Sequence, residues 1–289
     1  MRIALINSGL GLLAAAAELH RLRPDADLVL AMDPDGMPWG PRTPDDIAAR
    51  SLACARAALA YLPDVLLFAC NTGSVHALGA LRAEFEPAIP VVGTVPAIKP
   101  AAACSDAVAI WATAATTGSA YQRQLITDFA ASAQVTEVAC AGLADAIDAG
   151  DGDATQAAVT AAAARTPAGC GAVVLGCTEY ELAADLIGTA LPGAALFGSA
   201  AAVAAQALRR AAAHQQLPGA APHGAPAGRT GARQRPARQG MLRVLLSGRP
   251  AALPPAALRY PAGRLLAGLA QAAPSVSPAA EPRHAARLG

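Results

Sequence analysis

Two of the six cysteines stand where an apolar, strand-like run gives way to polar residues. Cys70 follows residues 64–69 within the sequence Cys-Asn-Thr-Gly-Ser, and Cys177 follows residues 172–175 within Gly-Cys-Thr-Glu-Tyr. A thiol has a pKa near ~8.5, and a position at the start of a helix favours the thiolate, so both cysteines could exchange protons near neutral pH. The other four cysteines have alanine or glycine neighbours and no polar loop, which is typical of small buried hydrophobic side chains.

The spacing of the two cysteines indicates a shared site. They lie 107 residues apart, about half of the 217 residues that precede a change of composition, as two similar α/β halves would place them. Two thiols on opposite sides of one cleft suit the inversion of a carbon stereocentre beside a carboxylate. One thiol removes a proton and the other returns one to the opposite face. Disulfide redox chemistry and metal binding are alternatives, but neither fits cysteines on separate halves without a nearby histidine cluster.

Short apolar runs alternate with alanine-rich segments of helical length over residues 1–217. The predicted strands are 2–6, 28–32, 64–69, 91–93, 107–111, 134–139 and 172–175. This alternation favours an α/β fold in which helices cover parallel sheets, with ligands bound beyond the C-terminal ends of the strands. We expect two similar parallel-sheet subdomains, residues 1–94 with 197–217 and residues 95–196, and an active site in the cleft between them.

Residues 218–289 differ in composition from the rest of the chain. They carry ten arginines and one acid, Glu281, together with 11 of the 23 prolines. Such a segment usually stays disordered, because it cannot offset the entropy lost on folding. We therefore expect a disordered tail over 218–289, whose arginines remain solvated, with nucleic-acid binding as the weaker alternative.

Composition excludes several classes of protein. No apolar run reaches the ~20 residues of a membrane helix, and the first residues lack the apolar region of a signal peptide. We therefore expect a cytoplasmic protein with reduced thiols and no membrane partner. An enzyme that uses pyridoxal phosphate needs a lysine for the Schiff base, and Lys99 is the only lysine of the sequence. The chain also lacks a GxxxxGK[ST] loop for nucleotide phosphates, and we expect neither a cofactor nor a bound metal.

Six short motifs, in order along the chain, resemble one family. They are Asn7-Ser8-Gly9-Leu10-Gly11, Met37-Pro38-Trp39-Gly40-Pro41-Arg42, Cys70-Asn71-Thr72, residues 92–97, residues 113–121 and Leu175-Gly176-Cys177-Thr178. Over residues 2–208 the chain is similar to the cofactor-independent glutamate racemases of the aspartate/glutamate racemase superfamily. The resemblance implies that a homodimer racemises glutamate for peptidoglycan synthesis by a two-cysteine, two-base mechanism.

The resemblance also implies roles for individual residues. Those implied as catalytic are Cys70, Cys177, Asp148 and Glu179. Those implied as substrate-binding are Asn7, Ser8, Trp39, Gly40, Asn71, Thr72, Thr113, Thr116 and Thr178. All are expected to meet in the cleft between the two subdomains.

Four positions depart from the pattern of the family, one of which is Leu12 in place of the second glycine of its GG pair. Asn7 stands where the family has an aspartate that assists the first cysteine, and an amide cannot accept a proton. Glu179 stands where the family usually has histidine, and Cys-Thr-Glu looks more like the aspartate and hydantoin racemases. Asp148 is one methylene shorter than the glutamate expected there. The alternatives are racemisation of aspartate or a related acid, motivated by Glu179, and a catalytically degenerate binding protein, motivated by Asn7.

The two thiols are expected to differ in acidity. Carboxylates near Cys177 disfavour its thiolate by repulsion between like charges. Cys70 starts a helix without an adjacent anion, so we expect it to be the readier thiolate. If proton relay at Asn7 limits the rate, Asn7→Asp is expected to raise turnover.

Overall fold

The computed structural model describes residues 1–216 and 239–271. The strands are β1 (Arg2–Asn7), β2 (Asp27–Met32), β3 (Val65–Phe68), β4 (Val91–Gly93), β5 (Ala107–Ala112), β6 (Gln134–Ala139), β7 (Ala172–Leu175), β8 (Ala195–Phe197), β9 (Leu242–Leu246) and β10 (Arg249–Ala251). The α-helices are α1 (Leu12–Leu22), α2 (Pro44–Leu59), α3 (Asn71–Phe85), α4 (Ile98–Cys104), α5 (Ala120–Phe129), α6 (Leu143–Ala149), α7 (Gly152–Ala163), α8 (Ala184–Ala190), α9 (Ala200–Gln215) and α10 (Pro261–Gln271). The 3₁₀ helices are η1 (Thr178–Ala183) and η2 (Pro255–Arg259). Within these two ranges, no helix has the length and apolar character needed to cross a membrane.

The first sheet has six strands in the order β10-β9-β2-β1-β3-β4. Its strands pair in parallel except for β10, which runs antiparallel to β9. Every residue of β2 and β3 is buried, because α1, α9 and α10 cover one face of the sheet and α2 and α3 cover the other. The continuous apolar strands of the sequence therefore correspond to strands covered on both faces.

The second sheet has four parallel strands in the order β6-β5-β7-β8. Helices α6, α7 and α8 pack with η1 on one face, and α4 and α5 pack on the other. The predicted α/β fold with parallel sheets is confirmed. We keep 1–94 with 197–217 and 95–196 as proposed limits of two subdomains, since the chain changes sheet after β4 and α9 returns to the first sheet.

The disorder expected over all of 218–289 is wrong for the segment from β9 to α10, which folds onto the first sheet. β9 pairs with β2 along its whole length, and α10 buries Leu266 and Leu269 in the core that it shares with α1. A composition averaged over 218–289 concealed this apolar segment, whose burial offsets the entropy of ordering it. The rest of the expected tail that falls in 218–238 and 272–289 lies outside the described residues.

Arginines of this folded segment have partners within the protein. Arg249 pairs with Asp35 at 2.7 Å, and the Arg264 guanidinium donates to the backbone carbonyl oxygens of Leu258 and Arg259. These two arginines thus help to hold the segment in place. The weaker alternative of nucleic-acid binding stays a prediction, and six of the ten arginines on which it rests lie outside the described residues.

Candidate functional site

A cavity of about 350 Å³ lies where the C-terminal ends of the two sheets face each other. Cys70 reaches it from the end of β3, and Cys177 reaches it from the end of β7. The predicted site residues that line it are Ser8, Trp39, Gly40, Cys70, Thr72, Thr113, Asp148, Cys177 and Glu179. Two larger surface clefts, of about 490 and 860 Å³, contain neither of these cysteines. The predicted cleft therefore brings both candidate thiols to one cavity.

Cys70 is the N-cap of α3, as the strand-to-helix reading of its motif predicts. Its Sγ accepts a hydrogen bond from the backbone N–H of Gly73 at 3.3 Å. Burial raises the pKa of the Cys70 thiol to about 12, and the charge of Glu179 adds to the rise, while the N–H groups of Gly73 and Thr72 oppose it. Burial thus outweighs the helix N-terminus and favours the protonated thiol at Cys70, so that Cys70 is the readier thiolate of the two stays a prediction.

Cys177 opens η1, so a 3₁₀ helix rather than an α-helix follows the second thiol. Its Sγ–H donates to Oε2 of Glu179 at 2.8 Å. Burial raises the pKa of the Cys177 thiol well above its usual range, and the charge of Glu179 and this hydrogen bond raise it further. Cys177 is therefore a protonated thiol whose hydrogen already points to a carboxylate.

Asp148 lies at the end of α6 and contacts the loop after β1. Its Oδ1 accepts a hydrogen bond from the backbone N–H of Leu10 at 2.7 Å. The approach requires glycine at position 9, because a Cβ there would lie 2.4 Å from the same carboxylate. Charge on Asp148 raises the pKa of Cys70 less than the charge of Glu179 does. Glu179 therefore acts on both thiols, and Asp148 shares the cavity with them.

Replacing Asp148 by asparagine is expected to flatten the dependence of stability on pH. Burial, followed by the charge of Glu179, raises the pKa of Asp148 to about 8. A carboxyl with a raised pKa in the folded state contributes stability that is fully present below about pH 4 and is lost as the pH rises through about 8. Asparagine has no such proton, and its amide oxygen can still accept from Leu10. Urea denaturation across this range should show a smaller loss in the variant, and equal slopes would contradict the raised pKa.

Asn7 ends β1 and is fully buried beside the cavity rather than lining it. Its Nδ2 donates to the backbone oxygen of Ala69 at 2.6 Å and to Oγ1 of Thr178 at 3.2 Å. Its Oδ1 accepts from the hydroxyl of Ser8 at 3.2 Å. Because Nδ2 faces a carbonyl oxygen, this position needs a hydrogen donor, and the amide provides one without a charge.

Asn7→Asp is expected to destabilise the protein, while a rise in its turnover stays a prediction. One carboxylate oxygen would face the carbonyl of Ala69, so the new carboxyl must keep its proton to hold that contact. Its folded-state pKa would then exceed the unfolded value, and the loss of stability should grow as the pH rises. Thermal melting at acidic and alkaline pH measures this, with Asn7→Ala as the uncharged control. A loss that is the same at both pH values for Asn7→Asp would contradict the assignment.

Hydrogen bonds across the cleft hold the two halves of the site in register. Nδ2 of Asn71, in the first turn of α3, donates to the backbone oxygen of Gly176 at 2.7 Å. On η1, Oε1 of Glu181 accepts from the backbone N–H and the hydroxyl of Ser199 at 2.8 and 3.0 Å and from the N–H of Ala200 at 3.1 Å. Glu181, which follows Cys177 in η1, therefore caps the N-terminus of α9. Helix α9 packs on the first sheet. These bonds tie the two segments that carry Cys70 and Cys177 to elements beyond their own sheets.

Two loops, one at residues 38–41 around Trp39 and one at residues 113–116 with two threonines, contribute to the wall of the cavity. Nε1 of Trp39 donates to Oδ2 of Asp33 at 3.0 Å, so its ring edge is held by the protein. Arg50 reaches the same oxygen at 3.3 Å. Thr113 lines the cavity, whereas Thr116 contacts it indirectly, through the hydroxyl of Thr113 at 3.1 Å. Of the predicted substrate-binding residues, Asn7, Asn71, Thr116 and Thr178 thus stand behind the lining.

Two lining residues, Asp145 and Cys140, were missed by sequence reasoning. Asp145 lies three positions before Asp148 on α6, and that spacing places both on one face of a helix, which is a signal the sequence did contain. Cys140 follows β6 with only alanine neighbours, so nothing local distinguished it from a core cysteine. The backbone N–H of Leu10 was also missed, because any residue type can supply it.

Comparisons with known proteins place the chain in a family. The sequence model described as Asp/Glu/Hydantoin racemase matches residues 6–207. The chain is 38% identical over 185 residues to the glutamate racemase of Roseiflexus sp. (strain RS-1), over 62% of this chain and 68% of that protein. It is 35% identical over 221 residues to the glutamate racemase of Pseudomonas putida (strain W619), over 74% and 83%. The crystal structure of Escherichia coli glutamate racemase in complex with L-glutamate and the activator UDP-MurNAc-ala matches with a TM-score of 0.70 and 28% identity, over 89% of this chain and 91% of that chain.

The fold, the cavity and these matches define an isomerase of the racemase class. More particularly, the chain belongs to the Asp/Glu/Hydantoin racemase family, whose sequence model covers 6–207 and therefore most of both sheets. The resemblance drawn from the six motifs is confirmed by the family match and by the named relatives.

Proposed function

We propose that the protein is a cofactor-independent glutamate racemase that interconverts L- and D-glutamate through Cys70 and Cys177. The observation that carries the proposal is the pair of thiols, one from each sheet, on a single cavity that Asp148 and Glu179 also line, with Glu179 bonded to Cys177. The relatives at 35 and 38% identity that are named glutamate racemase support glutamate as the substrate.

Racemisation requires a thiolate on one face of Cα and a thiol on the other. Burial and the charge of Glu179 favour the protonated form of both thiols, so a cation must offset these effects before a thiolate forms. The α-ammonium of the amino acid supplies that charge. The thiolate then takes the α-proton, the electron pair of the broken C–H bond is delocalised into the α-carboxylate, and the opposite thiol delivers its proton to the other face.

The two carboxylates would reset the thiols between turnovers. Glu179 accepts the hydrogen bond of the Cys177 thiol at 2.8 Å, and it can take that proton when Cys177 must act as the base. Asp148 acts electrostatically on Cys70, and its pKa of about 8 suits proton exchange near neutral pH. Asp148 would thus exchange a proton with Cys70, which Asn7 cannot do because an amide accepts no proton.

Neutral groups would bind the substrate carboxylates. None of the described residues that line the cavity is basic, whereas Asp145, Asp148 and Glu179 are acidic. The α-ammonium therefore finds carboxylate partners, and the carboxylates of glutamate must be held by hydroxyl and backbone N–H donors. Ser8 and Thr113 line opposite halves of the cavity and offer such hydroxyls, with Thr72 and Gly40 completing the set.

We further propose that the enzyme acts in the cytoplasm and supplies D-glutamate for peptidoglycan. All six cysteines are free thiols, which a reducing compartment maintains and which the proposed chemistry requires. A homodimer stays a prediction, which light scattering during size-exclusion chromatography checks.

The test is circular dichroism of L-glutamate and, separately, L-aspartate incubated with the purified protein without pyridoxal phosphate. Loss of the glutamate signal supports the proposal, and Cys104→Ala, an exposed thiol outside the cavity, is the control that should keep full activity. Loss of the aspartate signal alone would favour the aspartate racemase that Glu179 suggests. No change with either acid would favour a binding protein.

A further inference from the structure

Tyr260 lies in the C-terminal segment, outside every motif of the sequence, and reaches the second half of the site. It stands between η2 and α10, where its backbone N–H donates to Ala257 and its backbone oxygen accepts from Arg264, both at 3.1 Å. Ala257 is buried in the core of the first sheet, so the position of Tyr260 is fixed from that side.

The Tyr260 side chain joins the two halves of the protein. Its ring packs against the cores of both sheets, and its hydroxyl donates to the backbone oxygen of Ile147 at 2.7 Å. The end of α6 approaches η2 closely at Gly150, where a Cβ would lie 3.1 Å from Ala256 and Arg259. The C-terminal segment is thus fitted against the end of the helix that carries Asp148.

The bonded carbonyl belongs to the peptide unit that leads directly into Asp148. Because a peptide is planar, fixing the oxygen of Ile147 also fixes the N–H and, closely, the Cα of Asp148. The same oxygen also accepts from the backbone N–H of Gly150 at 3.0 Å, so the Tyr260 hydroxyl adds a second donor to the end of this seven-residue helix. The carboxylate is then fixed at two points, by Tyr260 through the backbone and by the N–H of Leu10 at its tip.

We propose that Tyr260 is a positioning residue that holds Asp148 in place on the wall of the cavity that it shares with Cys70. The proposal rests on the function proposed above for Asp148. In this proposal the C-terminal segment takes part in catalysis. Tyr260 belongs to a segment that packs on the first sheet, and its hydroxyl orients Asp148, which lies beside the second sheet.

The experiment is a double-mutant cycle of Tyr260→Phe and Asp148→Asn. Phenylalanine keeps the ring and its packing and removes only the hydroxyl, and asparagine keeps the acceptor for Leu10. Tyr260→Phe is expected to lower kcat about tenfold with little change in KM, because a misplaced catalytic group slows the chemical step. In the Asp148→Asn background the same change should alter kcat by less than about twofold. Tyr121→Phe, a half-buried tyrosine outside the cavity, is the matched control and should match the wild type.

The same double-mutant cycle can be measured without catalysis, as the rate at which iodoacetamide alkylates Cys70, followed by peptide mass spectrometry. At about pH 9, above the pKa of Asp148, displacing its charge should make Cys70 ionise more easily, so Tyr260→Phe should react severalfold faster than the wild type and show no further gain with Asp148→Asn. An unchanged kcat and alkylation rate in Tyr260→Phe would overturn the proposal. Equal losses of kcat on adding Tyr260→Phe to the wild type and to Asp148→Asn would also overturn it, because they indicate a purely structural role. A wild type that racemises no acidic amino acid would refute the proposed function alone, and alkylation would still decide the role of Tyr260.

Discussion

Replacing either Cys70 or Cys177 by alanine is expected to reduce racemisation by about 10³-fold or more. A positioned acid or base contributes about 10²- to 10⁴-fold to a proton transfer, and each face of the substrate has one of these two thiols at hand. Among the described residues that line the cavity, Cys140 is a third thiol, but it belongs to the core beside Val138 and Leu143. Polarimetry of both enantiomers at saturating concentration measures the loss in both directions.

Each single variant should still exchange the α-proton of one enantiomer with solvent. The remaining thiol can remove a proton and return a solvent-derived one to the same face, so deuterium enters without inversion. Cys70→Ala and Cys177→Ala should therefore label opposite enantiomers in D₂O, as read by NMR of the α-proton. Cys104→Ala is the control, because Cys104 is exposed and outside the cavity. Racemisation retained in Cys177→Ala would disprove the two-thiol mechanism.

Leu266→Ala in α10 is expected to lower the free energy of unfolding by about 2–5 kcal/mol, the usual cost of truncating a buried leucine. Leu266 is 0% exposed and packs in the core of the first sheet together with α1. A disordered tail would give no loss at all, so the size of the effect tests whether the C-terminal segment is part of the fold. Equilibrium denaturation in urea measures it.

The adjacent leucine provides the control for this prediction. Leu265 is 47% exposed on the same helix, so Leu265→Ala makes the same chemical change with an expected cost of no more than about 0.5 kcal/mol. Equal and small losses for both variants would show that α10 does not pack on the sheet in solution.

Local patterns were sufficient for the elements that position the site. Seven strands and the parallel α/β arrangement follow from continuous apolar runs between helical segments, since strands buried on both faces must be apolar throughout. The short β8 carries no such run, and two of its three residues are only half-buried. β9 is a short apolar run inside a segment dominated by arginine and proline, and it was not predictable because its burial depends on a partner strand, β2, more than 200 residues away.

The candidate thiols were predictable because their signal is local. A cysteine at the end of a strand, followed by polar residues that open a helix, indicates an N-cap position, and Cys70 occupies one. Its state of ionisation was not predictable, because burial and the charge of Glu179 raise its pKa to about 12 against the effect of the helix N-terminus. Both causes come from residues distant in sequence.

The sequence by itself determined the two-sheet α/β fold, the family and the pair of cysteines that face one cavity, because each depends on residue types at fixed local spacing. Only the tertiary structure decided that Glu179 accepts from the Cys177 thiol, that Asn7 donates to Ala69, and that Tyr260 donates to the peptide before Asp148. These are contacts between segments that the chain brings together only after both sheets have packed. Hydrogen bonds and desolvation depend on such distances, and no local pattern of residues encodes them.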